Sequence, residues 1–359
     1  MLVVLLAAAP HAQDSPDAPP PVRVGVAGLT HTHVHWILGR EDVGDIEIVG
    51  IAEPNRELAA RYAEQHGFSM DLVYDTTEEM LDATQPEAVT VFTTIYDHLA
   101  VTEAAARRSI HVMVEKPLAV SLDHARRMKA LADSAGIHLL TNYETTWYPS
   151  VHQLRQHVER GDIGPLRKMV VHDGHQGPIE IGINEEFLEW LIDPVLNGGG
   201  AITDFGCYGA NLITWLMDGQ RPTSVTAVTQ TIQPDLYPDV DDEATIIVTY
   251  PEAQGIIQAS WNWPFSRKDM AVYGTDGFID APTADELRVR LHESAPAESM
   301  RAEPLPPEHR DPFAYLASVV RGTTAPEDDL SSLSNNMVVM EILDAAIRSA
   351  QTGTTILLD

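Results

Sequence analysis

Short apolar runs alternate with amphipathic stretches along the first 145 residues of the chain. Five runs rich in β-branched residues read as buried strands, at residues 22–28, 46–54, 88–94, 111–117 and 136–142. Between them, apolar positions recur at helical spacing over residues 57–66, 98–108 and 122–134. This alternation predicts a doubly wound parallel sheet, with any ligand bound at the edge where the strands end.

The pattern changes after residue 145. A helix is predicted at 150–160, and strands then follow one another across short turns, at residues 223–232, 243–250, 255–263, 269–274 and 277–282. Such a succession predicts a largely antiparallel, open sheet. The chain closes with predicted helices at 312–320 and 331–350, which can pack back on the first domain. We therefore expect an α/β domain at residues 22–145 and an α+β domain at residues 146–359.

Composition excludes several kinds of partner and site. The 53 acidic residues outnumber the 23 basic ones, which gives a formal net charge of −30. Nucleic acid and anionic membranes are disfavoured as main partners, because both would repel this charge. The single cysteine, Cys207, rules out an intrachain disulfide and a cysteine-cluster metal site. The composition therefore predicts a soluble two-domain enzyme.

The N-terminus combines an apolar run with a proline-rich stretch. Residues 1–9 form an apolar run that is too short to span a bilayer, which takes about 20 residues. The run is typical of the apolar region of a secretory signal, and residues 13–21 read as an extended, proline-rich arm. We expect residues 1–21 to be a signal-like segment and arm, no membrane span, and a periplasmic or secreted protein. A cytoplasmic location is the alternative, because no basic residue precedes the run.

The first strand ends in a turn with features of a dinucleotide-binding loop. Gly28 occupies the first position of a G-x-G-x-x-G pattern, but Thr30 and His33 stand at the other two. His31, His33 and His35 alternate, and at the start of a helix they would splay around its axis. We therefore expect no metal site there and assign Gly28, Thr30, His31 and His33 to cofactor contact.

Glu53 ends the second strand, 25 residues after Gly28. A carboxylate at this position accepts hydrogen bonds from the ribose hydroxyls of a dinucleotide and repels a 2′-phosphate. We expect NAD as cofactor, and the nearby Arg56 keeps NADP possible. The alternative for Glu53 is a solvated loop acid.

The tripeptide Glu115-Lys116-Pro117 follows a buried strand. A lysine held at the end of such a strand, near a nicotinamide, can hydrogen-bond a substrate hydroxyl and assist a proton transfer. Lys116 is therefore a candidate catalytic residue.

The stretch GGGAITDFGCYGANLITWL, residues 198–216, carries the other candidate groups. A helix is expected to begin near Ile202. Asp204, Tyr208 and Asn211 would then share one helical face, because they are spaced by four and three residues. A carboxylate, a phenol and an amide on one face suit the binding of a polyol, and a solvated polar face is the alternative.

These motifs together resemble the glucose–fructose oxidoreductase/inositol dehydrogenase/MocA family over residues 22–359. The resemblance implies an N-terminal Rossmann domain, a C-terminal sheet that lines the substrate site or an oligomer interface, and a homo-oligomer, dimer or tetramer. It also implies NAD(P)-dependent oxidation or reduction of sugars and other polyols. Tyr208 stands where many members have a histidine, as in a branch that uses tyrosine as the acid/base. Some members of that branch are exported with cofactor bound.

The resemblance also assigns roles to individual residues. Cofactor contacts are implied for Thr93, Thr94, His98, Glu115 and Lys116, although the family's T-P-N-x-x-H reads Thr93-Thr94-Ile95 here and keeps only His98. Substrate contacts are implied for Lys116, Asp204, Tyr208, Asn211 and His175. The basic residue common before Tyr148 is missing, and Thr145 and Thr146 stand there.

The expected mechanism is hydride transfer between nicotinamide and a carbinol carbon of a sugar. Tyr208 would move the hydroxyl proton, Lys116 would lower the pKa of that phenol, and Asp204 would hold a neighbouring hydroxyl. Three alternatives remain: glycoside cleavage by oxidation, elimination and re-reduction with the same cofactor; a sugar-binding protein without turnover; and a metal-dependent hydrolase, which the histidine spacing disfavours.

Overall fold

The structure is a computed structural model that describes residues 19–358 of the chain. The apolar run and most of the predicted arm, residues 1–18, lie outside the described residues. No helix within residues 19–358 is long and apolar enough to cross a membrane.

The first half of the chain forms a six-stranded sheet in which every pairing is parallel. Its strands are β1 Val22–Ala27, β2 Ile46–Ala52, β3 Val73–Tyr74, β4 Ala88–Val91, β5 His111–Glu115 and β6 Leu139–Asn142. Their order across the sheet is β3-β2-β1-β4-β5-β6. This is the doubly wound order of a dinucleotide-binding domain, with the strand order reversing beside β1.

Five helices connect these strands, and they are α1 Val34–Leu38, α2 Arg56–His66, α3 Thr77–Thr84, α4 His98–Ala106 and α5 Leu122–Ala135. Helix α5 shows why the sequence folds this way. The Ser121 side chain accepts a hydrogen bond from the His124 N–H at its start, and Gly136 ends it in the left-handed conformation.

The second half forms a nine-stranded sheet in the order β14-β13-β12-β11-β7-β10-β9-β8-β15. The strands are β7 Leu166–Gly174, β8 Ser224–Gln230, β9 Glu243–Thr249, β10 Gln254–Ser260, β11 Arg267–Gly274, β12 Phe278–Thr283, β13 Glu286–Arg290, β14 Glu298–Arg301 and β15 Ile356–Leu357. All pairings are antiparallel except that of β7 with β10. The two sheets confirm the predicted fold class.

The remaining helices are α6 Pro149–Glu159, α7 Glu185–Leu191, α8 Ala201–Asp204, α9 Gly206–Leu216, α10 Pro312–Val320 and α11 Leu333–Thr352, and short 3₁₀ turns lie at Met70–Leu72, Glu144–Trp147 and Pro307–His309. Helix α10 packs on the first sheet, where Phe313 joins the apolar cluster of β1 and Tyr315 joins that of β4 and β5. Helix α11 packs against α9 and β8. Helix α11 also contacts α5 and β6, so both of the last two helices pack on the first half.

Candidate active site

The turn after β1 brings the backbone against the end of β4. Gly28 has a φ of +81°, and a Cβ atom there would lie 2.6 Å from Thr93 Cγ2 and 2.9 Å from the Thr93 backbone nitrogen. Only glycine fits this turn. Among the described residues, none accepts a hydrogen bond from the backbone N–H of Thr30 or Thr32. A glycine turn with available N–H groups at this edge fits the pyrophosphate of a dinucleotide.

Glu53 directly follows β2 and hydrogen-bonds the same turn. Its carboxylate accepts hydrogen bonds from the Leu29 N–H at 2.9 Å and from the Asn55 N–H at 2.8 Å. The side chain is buried, and burial raises its pKa despite these two donors. Glu53 is therefore a fixed part of the cofactor edge and not a solvated loop acid.

The loop after β4 holds three of the assigned cofactor residues. The Thr94 hydroxyl donates to Asp97 Oδ2 at 2.7 Å and accepts from the Asp97 N–H. Thr93 packs against Gly28. His98 is fully buried, with Nδ1 3.2 Å from the Leu118 carbonyl, and burial lowers its pKa to about 4. Thr94 and His98 thus shape the loop rather than reach outward.

His31 and His33 converge instead of splaying, which corrects the sequence expectation, whereas His35 points away and contacts His66. Helix α1 begins only at Val34, so His31 and His33 lie in the turn before it. His33 Nδ1 is 2.9 Å and His31 Nε2 is 3.9 Å from Glu115 Oε2. The other Glu115 oxygen accepts from Asn142 Nδ2 at 2.7 Å.

These three groups lie close enough to hold a metal ion, with all ligand atoms within 4.8 Å of one another. The hydrogen bonds indicate another role. His31 Nδ1 accepts the His33 backbone N–H at 3.1 Å, so the proton of a neutral His31 sits on Nε2, the atom that faces Glu115. A metal at Nε2 would have to displace that proton and break the Nδ1 contact. Glu115 is thus hydrogen-bonded to His33, while His31 Nε2 faces the same carboxylate from 3.9 Å without a hydrogen-bond partner among the described residues.

Lys116 and Asp204 form a buried ion pair across the two halves of the chain. Lys116 follows β5, its peptide bond to Pro117 is cis, and its Nζ donates to Asp204 Oδ1 and to the Asp204 carbonyl at 3.2 Å. Trp261 Nε1 donates to Asp204 Oδ2 at 2.9 Å. Burial favours the neutral forms of both groups, but their mutual attraction outweighs it, so the pKa of Lys116 is raised and that of Asp204 is lowered.

The glycine triplet fixes Asp204 in this position. A Cβ atom on Gly200 would lie 1.8 Å from the Asp241 carbonyl oxygen. The Asp241 carboxylate accepts from the Gly200 N–H at 3.0 Å and from the Ile202 N–H at 2.7 Å, at the start of α8. The glycines therefore allow a close backbone crossing that sets α8, and with it Asp204, against Lys116.

Tyr208 lies beside the ion pair on α9. Lys116 Nζ is 5.4 Å and Lys268 Nζ is 5.0 Å from the centre of its ring. The pKa of this phenol is raised, contrary to the expectation that Lys116 would lower it. Burial raises the pKa of Tyr208, and the carboxylates of Glu144 and Asp204 raise it further. Tyr208 is therefore a neutral phenol.

Asn211 does not contact the site, contrary to the sequence expectation. Helix α9 turns this side chain toward α11, where its amide donates to the Leu330 carbonyl at 2.8 Å and to Asn336 Oδ1 at 3.3 Å. His175 does lie near Asp204, with its ring 4.9 Å from that of Phe205. Burial lowers its pKa to about 4.

Four groups near Lys116, Asp204 and Tyr208 were not predicted from the sequence: Trp261, Lys268, Glu144 and Asp173. Lys268 is paired with Glu144, and Asp173 stands opposite Lys268 in the pairing of β7 with β11. None belongs to a local motif. Only the scarcity of lysines, of which the chain has four, marked Lys268 as unusual.

Helix α7 covers the cofactor edge from the second half. Its Phe187 packs on His31, with ring centres 4.5 Å apart. Glu186 pairs with Arg61 at 2.8 Å and accepts from the Tyr62 hydroxyl, and Asn184 Nδ2 lies 2.5 Å from the same hydroxyl. The segment thus bridges the two halves beside the predicted ribose position.

Comparison with known proteins shows which family the chain belongs to. Two family models match the chain: the oxidoreductase family with an NAD-binding Rossmann fold over residues 22–143, and the GFO/IDH/MocA C-terminal domain over residues 151–280. The chain is 25% identical to the 1,5-anhydro-D-fructose reductase of Ensifer adhaerens over 346 residues, 92% of this chain and 97% of the relative. It is 23% identical to the NADP-dependent D-xylose 1-dehydrogenase of Haloarcula marismortui, across 94% of both chains.

A solved structure shares the fold. The inositol dehydrogenase homologue of Azotobacter vinelandii, crystallised with NAD⁺, superposes with a TM-score of 0.82 at 18% identity, over 97% of this chain and all of that one. With both domain models matched in order, the chain belongs to the Gfo/Idh/MocA family of NAD-binding oxidoreductases.

Proposed function

We propose that this protein transfers a hydride between a nicotinamide cofactor and a carbinol carbon of a sugar or related polyol. The observation that carries the proposal is the placement of Lys116, Asp204 and Tyr208 together, where β5 ends at the nucleotide-binding edge. Relatives named as sugar reductases and dehydrogenases support the substrate class.

Each group has a distinct task. The bound dinucleotide supplies or accepts the hydride. Lys116 is held as an ammonium by Asp204 and donates a hydrogen bond to the substrate oxygen, while Asp204 accepts one from a neighbouring hydroxyl. Tyr208 carries its proton at neutral pH, so in the direction of carbonyl reduction it protonates the oxygen of the new carbinol. In the reverse direction the phenol must first release its own proton to solvent, and the phenolate then receives the proton of the carbinol.

A panel assay tests the proposal. The purified protein is mixed with NAD⁺ or NADP⁺ and with D-glucose, D-xylose, myo-inositol or levoglucosan, and with NADH and 1,5-anhydro-D-fructose. We expect the absorbance of the reduced cofactor to change with at least one of these, and Lys116→Ala to slow the change. A wild-type protein that binds dinucleotide and turns over none of them would contradict the proposal.

We further propose that the protein forms a homo-oligomer through the open face of the second sheet. By register, Val228, Ile247, Ile256, Val170 and Tyr273 share this face. Val228 is 62% and Tyr273 is 41% exposed. A face with apolar side chains in this density suits a second copy of the same sheet.

Export is the third part of the proposal, and it is supported by the apolar run at residues 1–9. Expression of the native gene, fractionation and N-terminal sequencing test it. We expect a shortened N-terminus in the periplasm or medium. An intact Met1 end in the cytoplasm would contradict export.

A further inference from the structure

A buried carboxyl group next to Lys268 has no role in the proposed chemistry. Asp173 is the second-last residue of the central strand β7 and is fully buried. Neither of its carboxyl oxygens has a hydrogen-bond partner within the described residues. Proteins rarely retain such a group, because burying a polar group without a hydrogen-bond partner destabilises the fold.

The nearest cation to Asp173 is engaged elsewhere. Lys268 stands directly opposite Asp173 in the pairing of β7 with β11, so both side chains lie on the same face of the sheet. Lys268 Nζ, however, binds Glu144, which in turn accepts the Tyr148 hydroxyl at 2.5 Å. Asp173 is left as a hydrogen-bonding group next to an ion pair.

This group of side chains lies next to the reacting centre. Lys268 Nζ lies 5.0 Å from the centre of the Tyr208 ring, and Lys116 Nζ lies 5.4 Å from the same point. Asp173 is within electrostatic reach of both lysines. Tyr208 thus has two lysines around it, and each lysine is paired with its own carboxylate.

We propose that Asp173 and Lys268, with Glu144 holding the lysine, bind a substrate hydroxyl next to the reacting carbon and select uncharged sugars and polyols over sugar acids. This inference rests on the proposed sugar oxidoreductase function and deepens it. We refer to these three residues as the second polar cluster.

Charge balance is the reason for the selectivity. Two lysines are matched by two carboxylates, Glu144 and Asp204, so the pocket offers no excess positive charge to an anion. Burial raises the pKa of Asp173 well above its ordinary value, and the Lys268 charge only partly opposes this. A neutral carboxyl group both donates and accepts, as a hydroxyl partner requires. The negative charge of a sugar carboxylate buried here would have no free cation to pair with.

The first test compares two replacements of Asp173. Asp173→Asn keeps one donor and one acceptor, so KM for the best sugar of the panel should stay within about twofold of the wild-type value. Asp173→Leu removes both and should raise KM about tenfold, the equivalent of one lost hydrogen bond to the substrate. NADH affinity should not change. Thermal stability should not fall in Asp173→Leu, because a partnerless buried acid is removed.

Lys268→Met provides a second variant should Asp173→Leu fold poorly. It should also raise KM about tenfold or more, whereas Lys168→Met, on an exposed position of β7, should leave KM unchanged. The Lys268 comparison separates a loss of substrate binding from a general effect of losing a lysine.

Charge selection is tested with matched substrates, D-glucose against D-glucuronate and D-galactose against D-galacturonate, which differ only in the oxidation state of C6. The wild type should prefer the uncharged member by about tenfold or more in kcat/KM. Glu144→Gln frees the Lys268 charge and should narrow that preference. Preference of the wild type for the acids would overturn the inference.

Two further outcomes would also overturn it: an Asp173→Leu enzyme with unchanged KM, or an Asp173→Asn enzyme as impaired as Asp173→Leu. The proposed function fails separately, because its failure shows in the wild type as the absence of turnover with any sugar.

Discussion

At the scale of single residues, Tyr208 is the proposed proton-transfer group. Tyr208→Phe keeps the ring and removes the hydroxyl, so turnover should fall about 10²–10⁴-fold, the usual contribution of general acid–base catalysis. NADH affinity should hardly change. Tyr143→Phe is the matched control, because Tyr143 is an equally buried tyrosine whose ring lies 5.3 Å away. Near-normal turnover of Tyr208→Phe, with chemistry rate-limiting, would shift the role to His98, His175 or water.

The direction of the Tyr208 pKa shift gives a pH prediction. Burial raises this pKa, so the phenol stays protonated beyond pH ~10, the ordinary value for tyrosine. Carbonyl reduction needs the protonated form, and its kcat should therefore not decline on the alkaline side up to about pH 10. A profile of kcat against pH checks this. An alkaline loss with an apparent pKa below about 9 would contradict the assignment.

Cofactor preference follows from Glu53. Its carboxylate is fixed by the N–H groups of Leu29 and Asn55, at the place where a ribose 2′-hydroxyl would lie. We expect NADH to bind more tightly than NADPH in a fluorescence titration. Glu53→Gln removes the charge and should narrow the difference by about tenfold. Tighter binding of NADPH to the wild type would refute the prediction.

Some of these residues could be predicted from the sequence and others could not, for physical reasons. Lys116, Asp204 and Tyr208 were found because each sits in a local motif. Asn211 was misplaced because i, i+3 spacing shows a shared face but not the second helix, α11, that covers part of it. Asp173 and Lys268 are 95 residues apart and meet only through the register of two strands, which no local pattern encodes.

At the scale of elements, the β1–α1 turn is the most constrained connection. Gly28→Ala would meet Thr93 and strain a positive φ, and we expect cofactor affinity to fall at least about tenfold. Gly44→Ala is a matched control, because Gly44 has a φ of +78° with no atom within 4 Å of its Cβ position. The Gly44→Ala variant has the strain of a positive φ but no steric clash of its Cβ atom. Equal NADH affinity in both variants would contradict a role for the close approach.

The elements themselves were largely predictable, with instructive exceptions. Apolar runs located five strands of the first sheet, but β3 has only two residues and gives no periodic signal. The central strand β7 was not assigned, although its neighbours were. The expected single helix from residue 202 is broken at Phe205 into α8 and α9, because the Asp241 cap and the glycine crossing set α8 separately.

At the scale of the whole molecule, the open sheet face predicts association. Tyr273→Lys and Val228→Lys should each shift the protein toward the monomer in light scattering, because a charge would be buried in the interface. Val43→Lys, at an apolar position that is 47% exposed in the first half, is the control. Wild-type protein that is monomeric at micromolar concentration would contradict the proposed oligomer.

The packing of α10 has a consequence for how the chain is made. Phe313, Leu316 and Val319 are buried against the first sheet, and burying such side chains contributes about 1.5–3 kcal/mol each. During synthesis, the first 145 residues emerge long before these three. The apolar core of the nucleotide-binding half therefore stays incomplete until residue 319 has left the ribosome. The two halves of the chain thus complete their folding together rather than one after the other.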